Sequence, residues 1–180
     1  MSDLGQRNAP NGDDLRAVMT NFAAGVAVAT TRLGEVDHAI TVNSFTSVSL
    51  DPPLVLLCVG RASRFVEPVR LSGNWGISIL AADAGPLARR LATRGGPPAP
   101  VLQGIPHHRG VTGVALLDEA LATLECTTTA IHPGGDHDII VGAVVSTSVG
   151  PASGANVPAP GTIDDRGPLV SFRGAFGTTT

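Results

Sequence analysis

Apolar and polar positions near the N-terminus recur with the spacing of an amphipathic helix. Four apolar side chains fall on one face, three or four residues apart: Leu15, Val18, Met19 and Phe22. Asp13 or Asp14 is placed to cap the first turn, because a side-chain oxygen there accepts hydrogen bonds from free amides. The pattern therefore predicts a helix over residues 13–23, ended by Gly25.

Beyond Gly25 the pattern becomes that of β-strands. β-Branched and apolar residues predict a strand over residues 26–31, a hairpin turn at 33–35 and a returning strand over 38–49. Six apolar residues without alternation follow at 54–59. A strand that is apolar on both faces must be covered on both, here by a helix or by a second subunit.

The remaining chain predicts short helices, further strands and two irregular segments. Helical stretches are expected at residues 63–69 and at 84–92, the second capped by Asp83, and strands at 75–80, 121–131, 138–148 and 168–172. Residues 94–113 and 150–167 are rich in Gly, Pro and Ala and are interpreted as long loops of functional or mobile character. Strands and helices do not alternate as βαβ units, so the pattern indicates a mainly β domain and not a Rossmann sheet.

Length, composition and charge bound the function classes. With 180 residues, 43% of them apolar, the chain is expected to form one domain over residues 13–176, with a flexible N-terminus at 1–12 and a tail at 177–180. The net charge is −3 and the twelve basic residues, all Arg, are scattered, which argues against a nucleic-acid partner. No apolar run approaches the roughly 18–20 residues of a membrane span, and no signal pattern opens the chain, so a cytoplasmic location is expected.

Familiar catalytic signatures are missing from the sequence. There is no G-x-G-x-x-G cradle, no P-loop and no G-x-S-x-G elbow. Cys58 and Cys126 lie inside apolar runs and are interpreted as buried core thiols. The difficult chemistry is therefore assigned to a cofactor and not to side chains.

The segment over residues 41–53 departs from ordinary strand alternation. Hydroxyl or amide groups occur on both faces, with Thr41, Asn43, Ser47 and Ser49 on one and Ser44 and Thr46 on the other. Buried hydroxyls need hydrogen-bond partners, so this run is not plain core. Two interpretations remain from the residues alone: an exposed Ser/Thr-rich edge strand, or the wall of a ligand site.

This run, together with several other blocks, resembles the short-chain flavin reductases. The blocks occur in the family's order and lie at residues 24–31, 52–59, 77–81, 121–126, 135–137 and 168–172. The resemblance implies an FMN-binding split barrel, a Greek-key antiparallel barrel of six strands, and usually a homodimer. It also implies the reductase component of a two-component flavin-dependent monooxygenase.

The resemblance also assigns candidate site residues. Flavin contacts are expected along the wall and at neighbouring positions: Thr41, Val42, Asn43, Ser44, Ser47, Val48, Ser49, Cys58, Ala81 and Phe172. Ser63 and Arg64 are expected at the flavin phosphate, where a hydroxyl and a guanidinium both suit an anion, and Phe65 is a further expected flavin contact. Without the resemblance, Ser63 reads as an ordinary helix cap and Arg64 as a solvated charge.

His137 follows a pair of glycines that permit a tight turn before a strand. A lone histidine in a turn is ordinarily a surface residue, but the resemblance associates the Gly135-Asp136-His137 motif with the nicotinamide cofactor. His137 is thus the candidate catalytic residue. A metal site is not predicted, because metals need three or four converging ligands and nothing in the sequence brings the histidines together.

The resemblance implies an NAD(P)H:flavin oxidoreductase. FMN or FAD is reduced by hydride transfer from NADH or NADPH and passed to a separate monooxygenase, in a biosynthetic or aromatic-degradation pathway. One alternative is a flavin- or haem-binding split barrel without turnover. Another is a metal-dependent hydrolase using His107, His108 and His137.

Overall fold

The computed structural model describes residues 9–93, 100–150 and 166–178. Its helices are α1 (Gly12–Met19), α2 (Val66–Ser72) and α3 (Gly85–Leu91). Its strands are β1 (Ala24–Gly25), β2 (Ala27–Leu33), β3 (Val36–Val42), β4 (Phe45–Leu50), β5 (Pro53–Gly60), β6 (Asn74–Ile79), β7 (His107–Arg109), β8 (Ala115–Leu117), β9 (Ala122–Gly134), β10 (His137–Val149), β11 (Val170–Phe172) and β12 (Ala175–Gly177). The mainly β prediction is confirmed.

The main sheet has seven antiparallel strands in the order β3-β2-β6-β9-β10-β5-β4. Its two edge strands, β3 and β4, are consecutive along the chain and are joined only by Asn43 and Ser44. A sheet whose opposite edges are linked by two residues must curl back on itself. The result is the barrel-like form of the split-barrel fold, as predicted, although the sheet has seven strands where six were expected.

The single strand predicted over residues 38–49 is wrong, because the chain breaks at Asn43 and Ser44. Residues before the break pair with β2, whereas those after it pair with β5. Ser44 drives the change of partner: its hydroxyl donates to the Cys58 carbonyl at 2.7 Å, and the Cys58 N–H donates to the Ser44 carbonyl at 3.4 Å. The local pattern predicts one strand, whereas the barrel closes by the pairing of two separate strands, β3 and β4, with different neighbours.

Helix α1 is shorter than the predicted 13–23 and is capped differently. The cap is Asn11, whose Oδ1 accepts from the amides of Asp13 at 2.8 Å and Asp14 at 3.1 Å. The Asp14 carboxylate in turn accepts a bond from the Asn11 amide at 2.9 Å, which completes a capping box. The helix ends at Met19 because the chain must extend to pair β1 with β11.

Helices α2 and α3 also differ from the predicted bounds. Helix α2 begins at Val66, three residues late, because the amides of Arg61 and Ser63 donate to Asp136 and Gly60 and so lie outside a helix. Gly73, with φ of 72°, ends it in the left-handed conformation. Helix α3 follows a 3-10 turn, and Asp83 lies inside that turn instead of capping the helix.

Strands β6, β9 and β10 confirm three predicted strands, and β9 and β10 extend beyond their predicted ends. The segment 94–113 is not wholly irregular, since β7 lies within it and pairs with β8. β12, which follows β11 after a tight turn, was not predicted. Residues 94–99 and 151–165 of the two predicted loops lie outside the described residues, as do most of the predicted N-terminus and the end of the tail.

Two apolar cores flank the sheet. One gathers Trp75, Cys126 and Leu57, among others, from strands around the barrel. The other packs α3 and residues 101–105 against the face of β2 that carries Val28. Burial and the neighbouring Glu125 carboxylate raise the pKa of the Cys126 thiol to about 12, as befits a core thiol. None of the helices in the described ranges is long and apolar enough to pass through a bilayer.

Strand β5 is only partly covered in the single chain. Val55, Leu57 and Val59 are buried, while the side chains between them are half-buried. Cys58 is one of these half-buried residues, so its interpretation as a core thiol is wrong. The free face of β5 instead contributes to a cavity.

Candidate functional site

A cavity of about 720 Å³ opens between β3, the end of β5 and the C-terminal end of α3. Its volume lies within the range of roughly 300–1,000 Å³ that small-molecule sites occupy. Nine of the predicted site residues line it: Thr41, Val42, Asn43, Ser44, Cys58, Ser63, Arg64, Phe65 and His137. Residues far apart in the sequence are thus brought to one place.

Five predicted site residues lie away from this cavity. Ser47, Val48 and Ser49 are on the edge strand β4. Ala81 is buried beside Pro168, with which it forms a β-bridge. Phe172 is 43% exposed, and the Arg173 guanidinium lies 5.2 Å from its ring centroid.

The hydroxyl groups of Thr41 and Ser44, which together we call the hydroxyl wall, already donate hydrogen bonds to backbone carbonyls of the protein. Thr41 Oγ1 donates to the Ala88 carbonyl at 2.8 Å, which ties β3 to α3. Ser44 Oγ donates to the Cys58 carbonyl at 2.7 Å. Since a hydroxyl has one hydrogen and two lone pairs, both oxygens remain acceptors toward the cavity. This wall is held rigidly and offers a ligand acceptors more than donors.

The segment between β5 and α2, residues 61–65, brings the charged side chain of Arg64 to the cavity. We call it the β5–α2 segment. Ser63 Oγ accepts a hydrogen bond from the Phe65 amide at 3.2 Å. This bond stabilises the turn before α2, and Ser63 itself is not the cap of that helix. The Phe65 side chain is buried in the core, at 1% exposure. Arg64 is exposed and, within the described ranges, its guanidinium has no hydrogen-bond or ion-pair partner. Among the described residues it is therefore an unpaired cation at the cavity wall.

His137 lies at the first position of β10, opposite Gly60 in the β5 register. Its Nε2 lies 3.7 Å from where a Cβ on Gly60 would be, so the ring covers a residue without a side chain. Its Nδ1 is 2.7 Å from Asp136 Oδ1. This bond holds the pKa of the exposed Asp136 carboxyl below its usual range. A carboxylate only accepts, so Nδ1 carries the hydrogen and Nε2 is turned to the other side.

A second charged group lies at the β3 end of the cavity. Asp37 accepts two bonds from Arg109, at 2.6 and 2.7 Å. The bond from Arg109 is the main cause that lowers the pKa of Asp37. The adjacent His38 lines the cavity, and burial lowers its pKa. Nothing in the sequence pairs Asp37 with Arg109, because they are 72 residues apart.

Sequence reasoning missed several lining residues. They come from β3, from the end of β5 and from the chain at and after the end of α3: Val36, Asp37, His38, Ala39, Ile40, Val59, Gly60, Ala62, Leu91, Ala92, Thr93 and Val101. Most are apolar or small and carry no chemical signal of their own. Only the packing of α3 against β3 places them beside the hydroxyl wall.

The histidines considered for a metal are engaged elsewhere. His107 Nδ1 lies 2.8 Å from the Ile105 carbonyl, and His108 Nδ1 lies 2.8 Å from Asp118 Oδ1. In the part of the chain that the structure describes, no three His, Cys, Asp or Glu side chains converge in a way that would hold a metal ion.

The chain matches a known protein family and is similar in sequence to several of its members. Residues 19–180 match the family model described as flavin reductase like domain, and every residue lining the cavity lies in that range. The chain is 38% identical over 167 residues to an NADH-dependent flavin reductase of a Rhodococcus species, covering 90% of this chain and 83% of the relative. It is 35% identical over 136 residues to the reductase component of 4-hydroxyphenylacetate 3-monooxygenase from Thermus thermophilus, covering 75% and 83%.

Solved structures agree with this match. The NADH:FAD oxidoreductase SgcE6 of Streptomyces globisporus, in complex with NAD and FAD fragments, is similar with a TM-score of 0.80 and 31% identity. The similarity covers 93% of this chain and 92% of that one. Sequence and fold are therefore shared over nearly the whole domain.

Proposed function

This chain belongs to the flavin reductase-like family, and on that basis we propose that its cavity is where NADH reduces FMN or FAD. The location is supported by the cavity, where the hydroxyl wall, Arg64 and His137 meet. The flavin and the nicotinamide supply the redox chemistry, as a hydride passes from C4 of NADH to N5 of the flavin. The protein's task is to bring the two rings into contact.

The hydroxyl wall fits the polar edge and side chain of a flavin. Thr41 and Ser44 present fixed acceptor oxygens because their hydrogens are already donated to backbone carbonyls. Asn43 is exposed at the strand break between them, and its amide can donate as well as accept. Short side chains leave room for a planar ring, and Val42 provides apolar surface beside them.

Arg64 suits the flavin phosphate. It lines the cavity and lacks an internal partner among the described residues, so it is free to pair with an anion. Ser63, fixed by its bond from the Phe65 amide, stands beside it as a second polar contact. A guanidinium and a phosphate form charge-assisted bonds of about 1.5–3 kcal/mol, which suits a ligand that must bind and leave.

His137 contacts the nicotinamide. His137 lines the cavity, and because Asp136 accepts the bond from Nδ1–H, Nε2 remains available to accept a hydrogen bond from the amide of the nicotinamide. Hydride transfer needs no proton from this residue, so His137 places the ring and does not act as acid or base. The predicted roles of Ser47, Val48, Ser49, Ala81 and Phe172 stay predictions, since these residues lie outside the cavity of a single chain.

The reduced flavin is released to a separate monooxygenase. The relative from Thermus thermophilus is by name the reductase component of such a system. The hydroxyl wall already donates its hydrogens to backbone carbonyls when no ligand is bound. This supports the proposal that flavin enters and leaves the cavity as a substrate. The two cysteines are free thiols, which is typical of a reducing compartment and supports the predicted cytoplasmic location.

A homodimer is the assembly we propose. Exposed apolar side chains on β4 and β10, including Leu50 at 92% and Val145 at 49%, lie on the same half of the sheet as the incompletely covered β5. A second copy would cover them. Such a partner also agrees with the expectation that a strand apolar on both faces is packed on both.

Steady-state kinetics over the four pairs of FMN or FAD with NADH or NADPH test the function. We expect the absorbance of NADH to fall at a rate that saturates with added flavin. A rate independent of flavin would contradict the proposal. So would a protein that binds flavin but does not bleach it when NADH is added anaerobically, which is the behaviour of a binding module without turnover.

A further inference from the structure

A buried carboxylate lies directly behind His137. The Asp138 side chain is 6% exposed, and each of its oxygens accepts one bond. Arg61 Nε donates to Oδ1 at 2.9 Å, and Arg70 Nη2 donates to Oδ2 at 3.0 Å. A buried charge is costly unless it is paired, so these two bonds strongly favour one arrangement of the three side chains.

Arg61 holds both neighbours of His137. Its side chain binds Asp138, while its backbone N–H donates to the Asp136 carbonyl at 2.9 Å. The next residue back, Gly60, is the register partner of His137 itself. One arginine thus fixes the chain on both sides of the candidate nicotinamide contact.

The same arginine begins the segment that carries the candidate phosphate contacts. Ser63 and Arg64 follow it by two and three residues, and the Ser63 amide donates to the Gly60 carbonyl at 2.8 Å. A shift of Arg61 therefore moves both halves of the proposed site relative to each other. Arg61 thus links the position of His137 to the position of Ser63 and Arg64.

Asp138 and Arg61 do not themselves face the ligand. Successive side chains of a strand point to opposite faces, so Asp138 faces away from His137. Both residues line a separate cavity of about 700 Å³, together with Arg70 and Glu67 from α2, and neither lines the first cavity. Their effect on a ligand must pass through His137 and the β5–α2 segment.

We propose that Arg61 and Asp138 are positioning residues, which set the distance between the nicotinamide contact at His137 and the phosphate contact at Arg64. The proposal rests on the proposed function. Arg70 differs from Arg61 because it ties Asp138 to α2 and makes no bond to the hairpin backbone among the described residues. It is therefore the matched control for loss of one arginine from the same carboxylate.

The test compares Arg61→Gln with Arg70→Gln in the full chain, with thermal unfolding, flavin affinity by fluorescence titration, and KM and kcat for NADH. Each variant loses one bond to Asp138, so a similar fall in Tm is expected. For Arg61→Gln we expect kcat/KM for NADH to fall by about tenfold or more, with weaker flavin binding. Arg70→Gln should keep both quantities within about twofold of wild type. Arg61→Lys, which retains a charge, should recover part of the loss.

Equal kinetic effects of the two variants would overturn the proposal, as would an Arg61→Gln enzyme that loses Tm but keeps its KM for NADH and its flavin affinity. These outcomes leave the proposed function standing. A wild-type chain that fails to oxidise NADH in the presence of flavin overturns both. The test changes the arginines and not Asp138, because each arginine variant leaves the buried carboxylate with one partner.

Discussion

The two candidate functional side chains of the cavity, His137 and Arg64, differ in how firmly their neighbours hold them. His137 is fixed by Asp136 at 2.7 Å and by its place over Gly60. Arg64 has no partner in the described part of the chain. A fixed imidazole suits the placing of a ring, whereas a free guanidinium suits an anion that comes and goes. The two residues should therefore affect different substrates.

Arg64→Gln should weaken flavin binding by about tenfold, because one charge-assisted bond to phosphate is lost. KM for NADH should change little. Fluorescence titration with FMN measures the effect, and riboflavin, which lacks the phosphate, should bind wild type and variant alike. Arg89→Gln removes an exposed arginine of α3 that does not line the cavity and serves as control. An Arg64→Gln protein with unchanged FMN affinity would assign the phosphate elsewhere.

His137→Ala should raise KM for NADH by about tenfold while flavin affinity stays near wild type, because the proposed contact of this residue is with the nicotinamide alone. Steady-state kinetics at saturating flavin measure the first quantity and titration the second. His132→Ala removes a histidine of β9 that does not line the cavity, and should leave both unchanged. Equal losses of flavin and NADH affinity would place His137 in the flavin site instead.

Strands β9, β10 and β6 meet where Gly142 lies, and the close approach there depends on a missing side chain. A Cβ at Gly142 would lie 2.5 Å from Trp75 Cζ2 and 2.8 Å from Cys126 Cβ, both fully buried. The register between β9 and β10 shifts at this residue. The packing of β10 against Trp75 and Cys126 therefore requires a residue without a side chain at position 142.

Gly142→Ala should lower the free energy of unfolding by about 1–3 kcal/mol, since the indole cannot move without disturbing the core. Urea denaturation measures the difference. Gly25→Ala is the matched control, because nothing lies within 4 Å of a Cβ at that position. A Gly142→Ala protein as stable as this control would mean that the core there is loosely packed.

The ion pair between Asp37 and Arg109 joins β3 to β7 and makes stability depend on pH. Arg109 lowers the pKa of Asp37 in the folded chain below the value of 3.8 expected when unfolded. The unfolded chain therefore binds the proton first as pH falls. The stabilisation is present above pH 3.8 and is lost as pH falls through the lower, folded pKa.

Asp37→Asn should cost at most about 1 kcal/mol at pH 7, because solvent reaches Arg109 and screens the pair. The gap in Tm between wild type and variant should shrink as pH drops below about 4. Glu35→Gln, which removes a highly exposed carboxylate from the adjacent turn, should show a smaller gap at pH 7. A gap for Asp37→Asn that is independent of pH would show that charge is not its cause.

At the scale of the whole molecule, the main sheet closes on itself but does not cover all its apolar surface. Leu50 is 92% exposed on β4, and Val149 is 46% exposed at the end of β10. The apolar face of α1 is also uncovered, since the helix has no buried residue. Surfaces of this kind are typical of contact sites between chains.

Leu50→Glu should shift the protein from dimer to monomer, because a charge would be buried in the proposed contact. Light scattering after size exclusion measures the mass. Val111→Glu places the same charge at a residue that is 78% exposed in the turn before β8, and should leave the dimer intact. A wild-type chain that is already monomeric at micromolar concentration would refute the dimer, and with it the role given to β4.

The sequence by itself determined the class of fold, the positions of the long strands and nine of the residues that line the cavity. Alternation and β-branched content are local properties, and the hydroxyl run at residues 41–44 is visible because it violates that alternation. The family resemblance then supplied the roles of Arg64 and His137. Both residues lie next to a strand end or a turn, and such local features are recognisable from a short stretch of sequence.

Only the tertiary structure decided where the polar run breaks and what lies behind it. Ser44 changes strand partner through bonds with Cys58, and residues 47–49 consequently leave the cavity for an edge strand. Arg61 and Asp138 meet across 77 positions of sequence. Hydrogen bonds and ion pairs between distant segments depend on how the barrel closes, and no local pattern encodes that distance.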